Sequence, residues 1–238
     1  MRIRSAIVSS PSRATLRRRS CRIFLTKRIQ LRPLRRAHNI PGCSAGVGLL
    51  LASASPRRAA LLSEAGFEFE PVAPQATEKL DIHLTLRELT TWNAIRKGVP
   101  IARAYPDKVV LAADTLVALQ DEIIGKPADL SEAAQILRRL SGRTHEVCSA
   151  VFIYRFAAGQ PATFHEFSRV RFHRLSSATI ENYLAKVNPL DKAGAYAAQG
   201  YGTEIIAKID GSYTNVVGLP IEKTATALAK FGIRPKSA

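Results

Sequence analysis

Cysteine is scarce in this chain of 238 residues: Cys21, Cys43 and Cys148 are odd in number and widely separated. Their spacing supports neither a disulfide framework nor a cysteine zinc site, and it fits a reducing compartment. The five histidines, His38, His83, His145, His165 and His173, form no HxxxH or HxH pattern, so structural or surface roles are expected for them. No apolar run reaches the ~18 residues of a membrane span, and no short apolar region marks a secretory signal. A P-loop and internal repeats are also missing. What is left is the expectation of a soluble globular core, for which an apolar content of 46% is ample.

Acid is missing from one end. Residues 1–48 hold eleven arginines, Lys27 and no Asp or Glu, which leaves 23 of the 35 basic groups and all 19 acids, a net of +4, for the rest. The formal charge of +16 therefore belongs mostly to a leader, and the nearly balanced remainder argues against nucleic acid as its main partner. The sequence divides into this leader, 1–46, and a domain over 47–238. With Arg17-Arg18-Arg19, Arg35-Arg36 and prolines at Pro11, Pro33 and Pro41, the leader admits three readings. It is an organellar transit peptide, a disordered basic arm for nucleic acid or anionic lipid, or the product of a mis-assigned start. The domain is expected in the cytoplasm, or in an organelle if the leader directs import.

The domain is organised around Val109-Val110-Leu111-Ala112-Ala113-Asp114-Thr115, continuing into Ile123-Ile124-Gly125-Lys126-Pro127. The β-branched run reads as a buried strand ending at one carboxylate and a hydroxyl, where an open α/β sheet places reacting groups. An acid there can hold a divalent ion or take a proton from water, and a lysine can meet a phosphate. A turn-forming Asp with a solvated Lys is the structural alternative.

Upstream, Leu49-Leu50-Leu51-Ala52 is a short strand, and Ser55 with Pro56 caps the helix that Gly66 ends. Ser53, Ser55, Arg57 and Arg58 then surround a helix N-terminus, a cradle suited to polyphosphate. A second strand is expected through Phe67, Phe69 and Val72. From Thr85 to about Ala104 the pattern is helical, with Leu86, Leu89, Trp92 and Ile95 inward; Lys97 by itself reads as a solvated residue. Asp129 and Glu132 form a capping-box pattern before a helix faced by Ala133, Ile136, Leu137 and Leu140. Two β-rich runs, His145–Tyr154 and Thr163–Phe172, make a hairpin, and Ile180, Tyr183, Leu184 and Val187 mark an amphipathic helix closed by Asn188-Pro189. A stretch of small residues over 191–200 lets a ligand or backbone come close, and Gln199 offers donors and an acceptor to a base edge. Glu204 to Ile209 reads as a strand, Asp210-Gly211-Ser212-Tyr213 as a hairpin-like turn, and a last helix follows Pro220.

Six blocks now stand in order: Leu51-Ala52-Ser53-Ala54-Ser55-Pro56-Arg57-Arg58, Ala113-Asp114-Thr115, Gly125-Lys126-Pro127, Leu140-Ser141-Gly142-Arg143-Thr144-His145, Asp191-Lys192-Ala193-Gly194-Ala195-Tyr196 and Val217-Gly218-Leu219-Pro220. Together they resemble the Maf family of nucleoside triphosphate pyrophosphatases, from about Leu49 to the C-terminus. The resemblance implies an α/β fold with a mixed central sheet flanked by helices, two lobes around a cleft, related to the inosine triphosphate pyrophosphatases (Maf/Ham1), and usually a homodimer. It implies hydrolysis of a nucleoside triphosphate to the monophosphate and pyrophosphate with Mg2+ or Mn2+. Asp114 matches the catalytic proton acceptor and, with Glu78, the metal site. Arg57, Thr115 and Gln199 match positions tied to substrate choice, and Ser53, Lys97 and Lys126 match polar residues near phosphate. The Asp191–Tyr196 block and Gln199 resemble the branch acting on dTTP and UTP.

The chain departs from the family pattern at Gln75 and Thr77, where acids are common, and at Trp92-Asn93, where aliphatic residues are usual. Two other functions stay open at this point. One is a 7-methyl-GTP or modified-nucleotide pyrophosphatase on the same fold. The other is a nucleotide-sensing regulator of septum formation, against which the complete set of matched acids and lysines argues.

Overall fold

A computed structural model describes residues 48–76 and 83–236. The basic leader and residues 77–82, with Glu78, lie outside the described residues. In chain order, β1 (Leu49–Ala52) leads into α1 (Pro56–Glu64) and a two-residue β2 (Glu70–Pro71). The long helix α2 (Leu86–Ala104) precedes β3 (Val109–Leu119), which turns back into β4 (Glu122–Ile124). After α3 (Leu130–Leu140) come the long strands β5 (Thr144–Arg155) and β6 (Gln160–Phe172), then α4 (Ser177–Leu184). β7 (Ile206–Asp210), α5 (Tyr213–Val217) and α6 (Ile221–Ala229) complete the domain.

These strands form a mixed sheet in the order β2-β1-β3-β5-β6-β7, with β4 paired to β3. β1 runs parallel to β2 and β3; every other pairing is antiparallel. Buried side chains alternate along β3. Val109, Leu111 and Ala113 join Leu61, Leu62 and Leu228 in one apolar cluster, whereas Val110 and Ala112 join Ala94, Ile101 and Phe152 in another beneath α2. A third cluster fills the space under α3 and α4, where Ile136, Leu137, Leu140, Ile180 and Tyr183 meet Val117, Val147 and Phe172. The fold is thus α/β, with helices covering both faces of a mixed sheet.

The expected strand over 109–114 does not end at the carboxylate. β3 runs through Asp114 to Leu119, with β5 beside it from Val110 to Ala118. On its other edge β1 stops opposite Ala112 and β4 ends opposite Val117. Ala113 to Leu116 therefore have a strand on one side only, and that gap is where the site is built.

Some helix starts follow side-chain caps, but the expected Ser55 cap of α1 does not form: its hydroxyl takes no hydrogen bond from the helix, and Pro56 alone marks the start. Thr85 and Glu88 close a capping box on α2, the hydroxyl accepting from the Glu88 amide and the Glu88 carboxylate from the Thr85 amide. Asp129 caps α3, but the Glu132 carboxylate accepts from the Ala128 amide rather than from the cap residue itself. Two further expectations fail. Trp92 is 53% exposed, and the inward face of α2 runs instead through Leu89, Asn93, Ala94, Lys97, Gly98 and Ile101. Asp210–Tyr213 is not a hairpin turn: Ser212 caps α5, its hydroxyl accepting from the Asn215 amide.

Gly98 lets α2 lie flat on the sheet. A Cβ there would sit 2.6 Å from the Phe152 ring and 3.1 Å from the Ala112 methyl. Replacing a mid-helix glycine by alanine ordinarily stabilises by about 1 kcal/mol, but overpacking a closed core costs about 1–3 kcal/mol. Gly98→Ala should therefore lose about 1 kcal/mol in denaturant unfolding, and Gly98→Val more. A gain in stability for Gly98→Ala would show that α2 is free to lift.

Candidate active site

The unpaired stretch of β3 borders a cavity of about 300 Å3. Ser53 reaches it from the turn between β1 and α1, Arg57 and Arg58 from the first turn of α1, Lys97 from α2, Thr115 from β3, and Lys126 from the loop after β4. Asp191, Lys192 and Tyr196 come from the loop after α4. Five cationic side chains and one carboxylate line this space, so its wall carries a positive excess suited to a polyanion. Val117, Val147, Ala193, Ala197 and Ala198 add an apolar portion against which a planar ring can lie.

Arg58 is fixed by three acceptors on three segments. Its Nε donates to the Gly218 carbonyl at 2.8 Å, one terminal nitrogen to Ser53 Oγ at 3.3 Å, and the other to Thr115 Oγ1 at 3.1 Å. Gly218 has φ +130°, a conformation glycine adopts without strain, and this turns its carbonyl toward the guanidinium. Thr115 also meets the fully buried Ser149 hydroxyl at 2.8 Å, directly across the β3–β5 pair. The sequence reading placed Arg58 in the phosphate cradle but gave it no partner, since Gly218 lies 160 residues away.

On the opposite face of β3, Asp114 is 1% exposed. Lys97 Nζ donates to its Oδ1 at 2.6 Å and Asn93 Nδ2 to its Oδ2 at 3.2 Å. Lys97, 5% exposed, is a buried cation and not the solvated residue its position alone implied. It lies between the carboxylate and the cavity, whose wall it forms.

At the mouth, Arg57 pairs with Asp191 at 2.6 Å, and Lys192 contacts the same carboxylate. Burial pushes the Asp191 carboxyl up, but the hydrogen bonds and charges of Lys192 and Arg57 outweigh it and hold it below its ordinary value. The loop behind is anchored by the Gly194 amide on the Gly125 carbonyl, at 3.0 Å. Ala195 there has φ +61°, a backbone that costs a non-glycine residue of order 1 kcal/mol. Beneath it, Tyr196 packs edge-on against His145 and Phe172, and its hydroxyl lies 2.9 Å from His145 Nε2.

A model of the family described as Maf-like protein matches residues 48–231. The chain belongs to the Maf-like family. It is 43% identical over 187 residues to the dTTP/UTP pyrophosphatase of Bacillus pumilus, covering 79% of this chain and 98% of that protein. The protein of the same name from Symbiobacterium thermophilum is 42% identical over 184 residues, 77% of this chain and 94% of its own. The one from Desulforamulus reducens is 40% identical over 185 residues, 78% and 97%. Among solved structures, a HAM1 protein from Coxiella burnetii is similar at a TM-score of 0.47 and 18% identity, covering 77% of this chain and 99% of that one.

Within this Maf-like domain, Ser53, Arg57, Lys97, Thr115 and Lys126 all line the cavity. Asp114 does not; it stands behind Lys97. Gln199 is partly buried one residue beyond Ala198 and is not part of the wall. Glu78 lies outside the described residues. Asn93 and Asp191 had no assigned role in the sequence reading. Their signal was present as an unusual polar residue in a helix and as the first residue of a block, but only the fold gives each its partner. No helix among the described residues is long and apolar enough to cross a membrane.

Burial pushes the His145 imidazole down to about 4 from 6.5. A histidine with a depressed folded-state pKa leaves stability complete above pH 6.5 and draws it down as pH falls toward 4, because the unfolded chain takes up the proton first. Unfolding free energy should decline across that window, with His145 contributing about 3 kcal/mol at most. His145→Phe, although less stable for orphaning the Tyr196 hydroxyl, should show a shallower slope in urea unfolding. An unchanged slope would mean that His145 is charged when folded.

Proposed function

We propose that this chain hydrolyses dTTP and UTP to the monophosphate and pyrophosphate. The observation that carries the reading is the five-cation cavity beside a buried carboxylate, in a chain about 40% identical to proteins named dTTP/UTP pyrophosphatase. In this reading the triphosphate lies against Arg57, Arg58, Lys97 and Lys126, which neutralise it. The pyrimidine lies toward Ala197 and Ala198, where Gln199 and Thr115 take part in its choice. Shape and hydrogen bonding, not the charges, decide between bases.

Asp114 is the proposed proton acceptor. Its Oδ1 is held by Lys97, which itself reaches the cavity. An entering polyphosphate gives the Lys97 ammonium a second anionic partner, and a shift toward it frees Oδ1 for a water. Asp114 orients that water toward the α-phosphorus and takes its proton as pyrophosphate leaves. Positioning and charge neutralisation carry most of the rate.

Mg2+ or Mn2+ suits the donor chemistry. Among the described residues no group of three His, Cys, Asp or Glu is assembled. Asp114 and Glu78 are the residues proposed to hold the ion, and when bound it neutralises and polarises the phosphates. The same reading includes a homodimer, testable by sedimentation, and a cytoplasmic location where free dTTP and UTP are found.

Pyrophosphate release by the full chain should be largely confined to dTTP and UTP in a panel with CTP, dATP, GTP and 7-methyl-GTP. Asp114→Asn should lower stability, because it leaves the Lys97 ammonium buried without its anion. In the folded protein it should lower kcat by about a hundredfold or more, in the range typical of general-base catalysis. Wild-type turnover by Asp114→Asn would remove the role given to Asp114, and release from 7-methyl-GTP alone would move the substrate.

A further inference from the structure

Asn93 stands on the buried face of α2, 1% exposed, four residues before Lys97. Residues four apart lie one above the other on a helix, so both side chains project toward the same point on β3. That point is the Asp114 carboxylate. Lys97 donates to Oδ1 and Asn93 to Oδ2, the two oxygens thus being held from successive turns of one helix. We propose that Asn93 is a positioning residue for the reaction: its amide fixes the Asp114 carboxylate in one orientation while Lys97 leaves Oδ1. The inference rests on the proton-acceptor role proposed for Asp114.

With Lys97 alone, a carboxylate has a single tether, and when the ammonium turns to phosphate nothing among these contacts stops rotation about the Cβ–Cγ bond. A second donor on Oδ2 keeps Oδ1 aimed at the space that Lys97 vacates. Such preorganisation is realised at the reacting step and not in binding substrate. Asn93 does not line the cavity, so it has no direct hold on the nucleotide. A purely packing role would be filled better by an apolar residue, because burying an amide in this face costs free energy unless its hydrogen bonds are made. On the same face Leu89, Ala94 and Ile101 are apolar, and the buried Thr90 hydroxyl is satisfied by the Leu86 carbonyl of its own helix.

The test is kinetic, on the full chain, with dTTP and Mg2+ and pyrophosphate release as the readout. Asn93→Leu removes the donor at similar volume; Asn93→Ala removes it with a strong helix former, in case leucine disturbs the core. Both should lower kcat about tenfold, the loss expected of one hydrogen bond to a charged group, with KM within about twofold. Affinity for a non-hydrolysable dTTP analogue, measured by calorimetry, should be unchanged. Each substitution is then combined with Asp114→Asn. If Asn93 acts through Asp114, the second change should cost less than twofold, whereas a structural role costs the same factor in both backgrounds.

Wild-type kcat in both Asn93 variants, or an equal loss in both backgrounds, would overturn the proposal while Asp114 keeps its role. Full turnover by Asp114→Asn alone would instead remove the reading on which the proposal stands. The two failures are therefore distinct.

Discussion

An ammonium and a carboxylate held 2.6 Å apart, each with about a twentieth or less of its surface exposed, impose the main constraint on this domain. Removing either charge from water costs several kcal/mol, and only close, well-oriented partners offset that cost. Lys97 and Asp114 must therefore meet, which sets the rotation of α2 about its axis and its position along β3. Gly98, next to the lysine, has no side chain and so lets the helix come near enough. The exposed Trp92 follows from the same rotation, since the face that buries Asn93, Lys97 and Ile101 turns position 92 to water.

The sheet supplies the other half of the arrangement. Because successive residues of a strand point to opposite faces, Asp114 and Thr115 address different layers from one place in the chain. Asp114 meets α2, and Thr115 meets Arg58, Ser149 and the end of α5. The gap between the ends of β1 and β4 leaves this stretch of β3 without a strand neighbour on one edge. Cations from α1, α2 and two loops fill the rim of that gap, while most of the domain's basic residues lie elsewhere and are balanced by acid. A nearly neutral domain thus presents a concentrated positive site.

The parts of the fold legible in the sequence were those decided locally. Pro56, the helical pattern from Thr85, Asp129 and the apolar stripe of α3 placed helices from residues within one or two turns. The matched blocks brought Ser53, Arg57, Thr115 and Lys126 to one cavity. What stayed hidden was decided at long range. An apolar stripe cannot show that Asn93 and Lys97 face inward, because their burial depends on a carboxylate on another element. The strand seemed to stop at Asp114 because a charge inside a buried strand is tolerated only with partners that the local sequence does not contain. Arg58 owes its geometry to Gly218, and Arg57 to Asp191, 134 residues away. The Asp210–Tyr213 segment carries turn residues, yet Ser212 spends its hydroxyl on a helix cap.

The most direct measurement is a crystal structure of the chain with a non-hydrolysable α,β-imido analogue of dTTP. The account predicts phosphates in contact with Arg57, Arg58 and Lys126, the Lys97 ammonium drawn toward them, and Asp114 Oδ1 facing the α-phosphorus. A triphosphate bound away from this cavity, or one that leaves the Lys97–Asp114 contact intact with no water at the carboxylate, would contradict it.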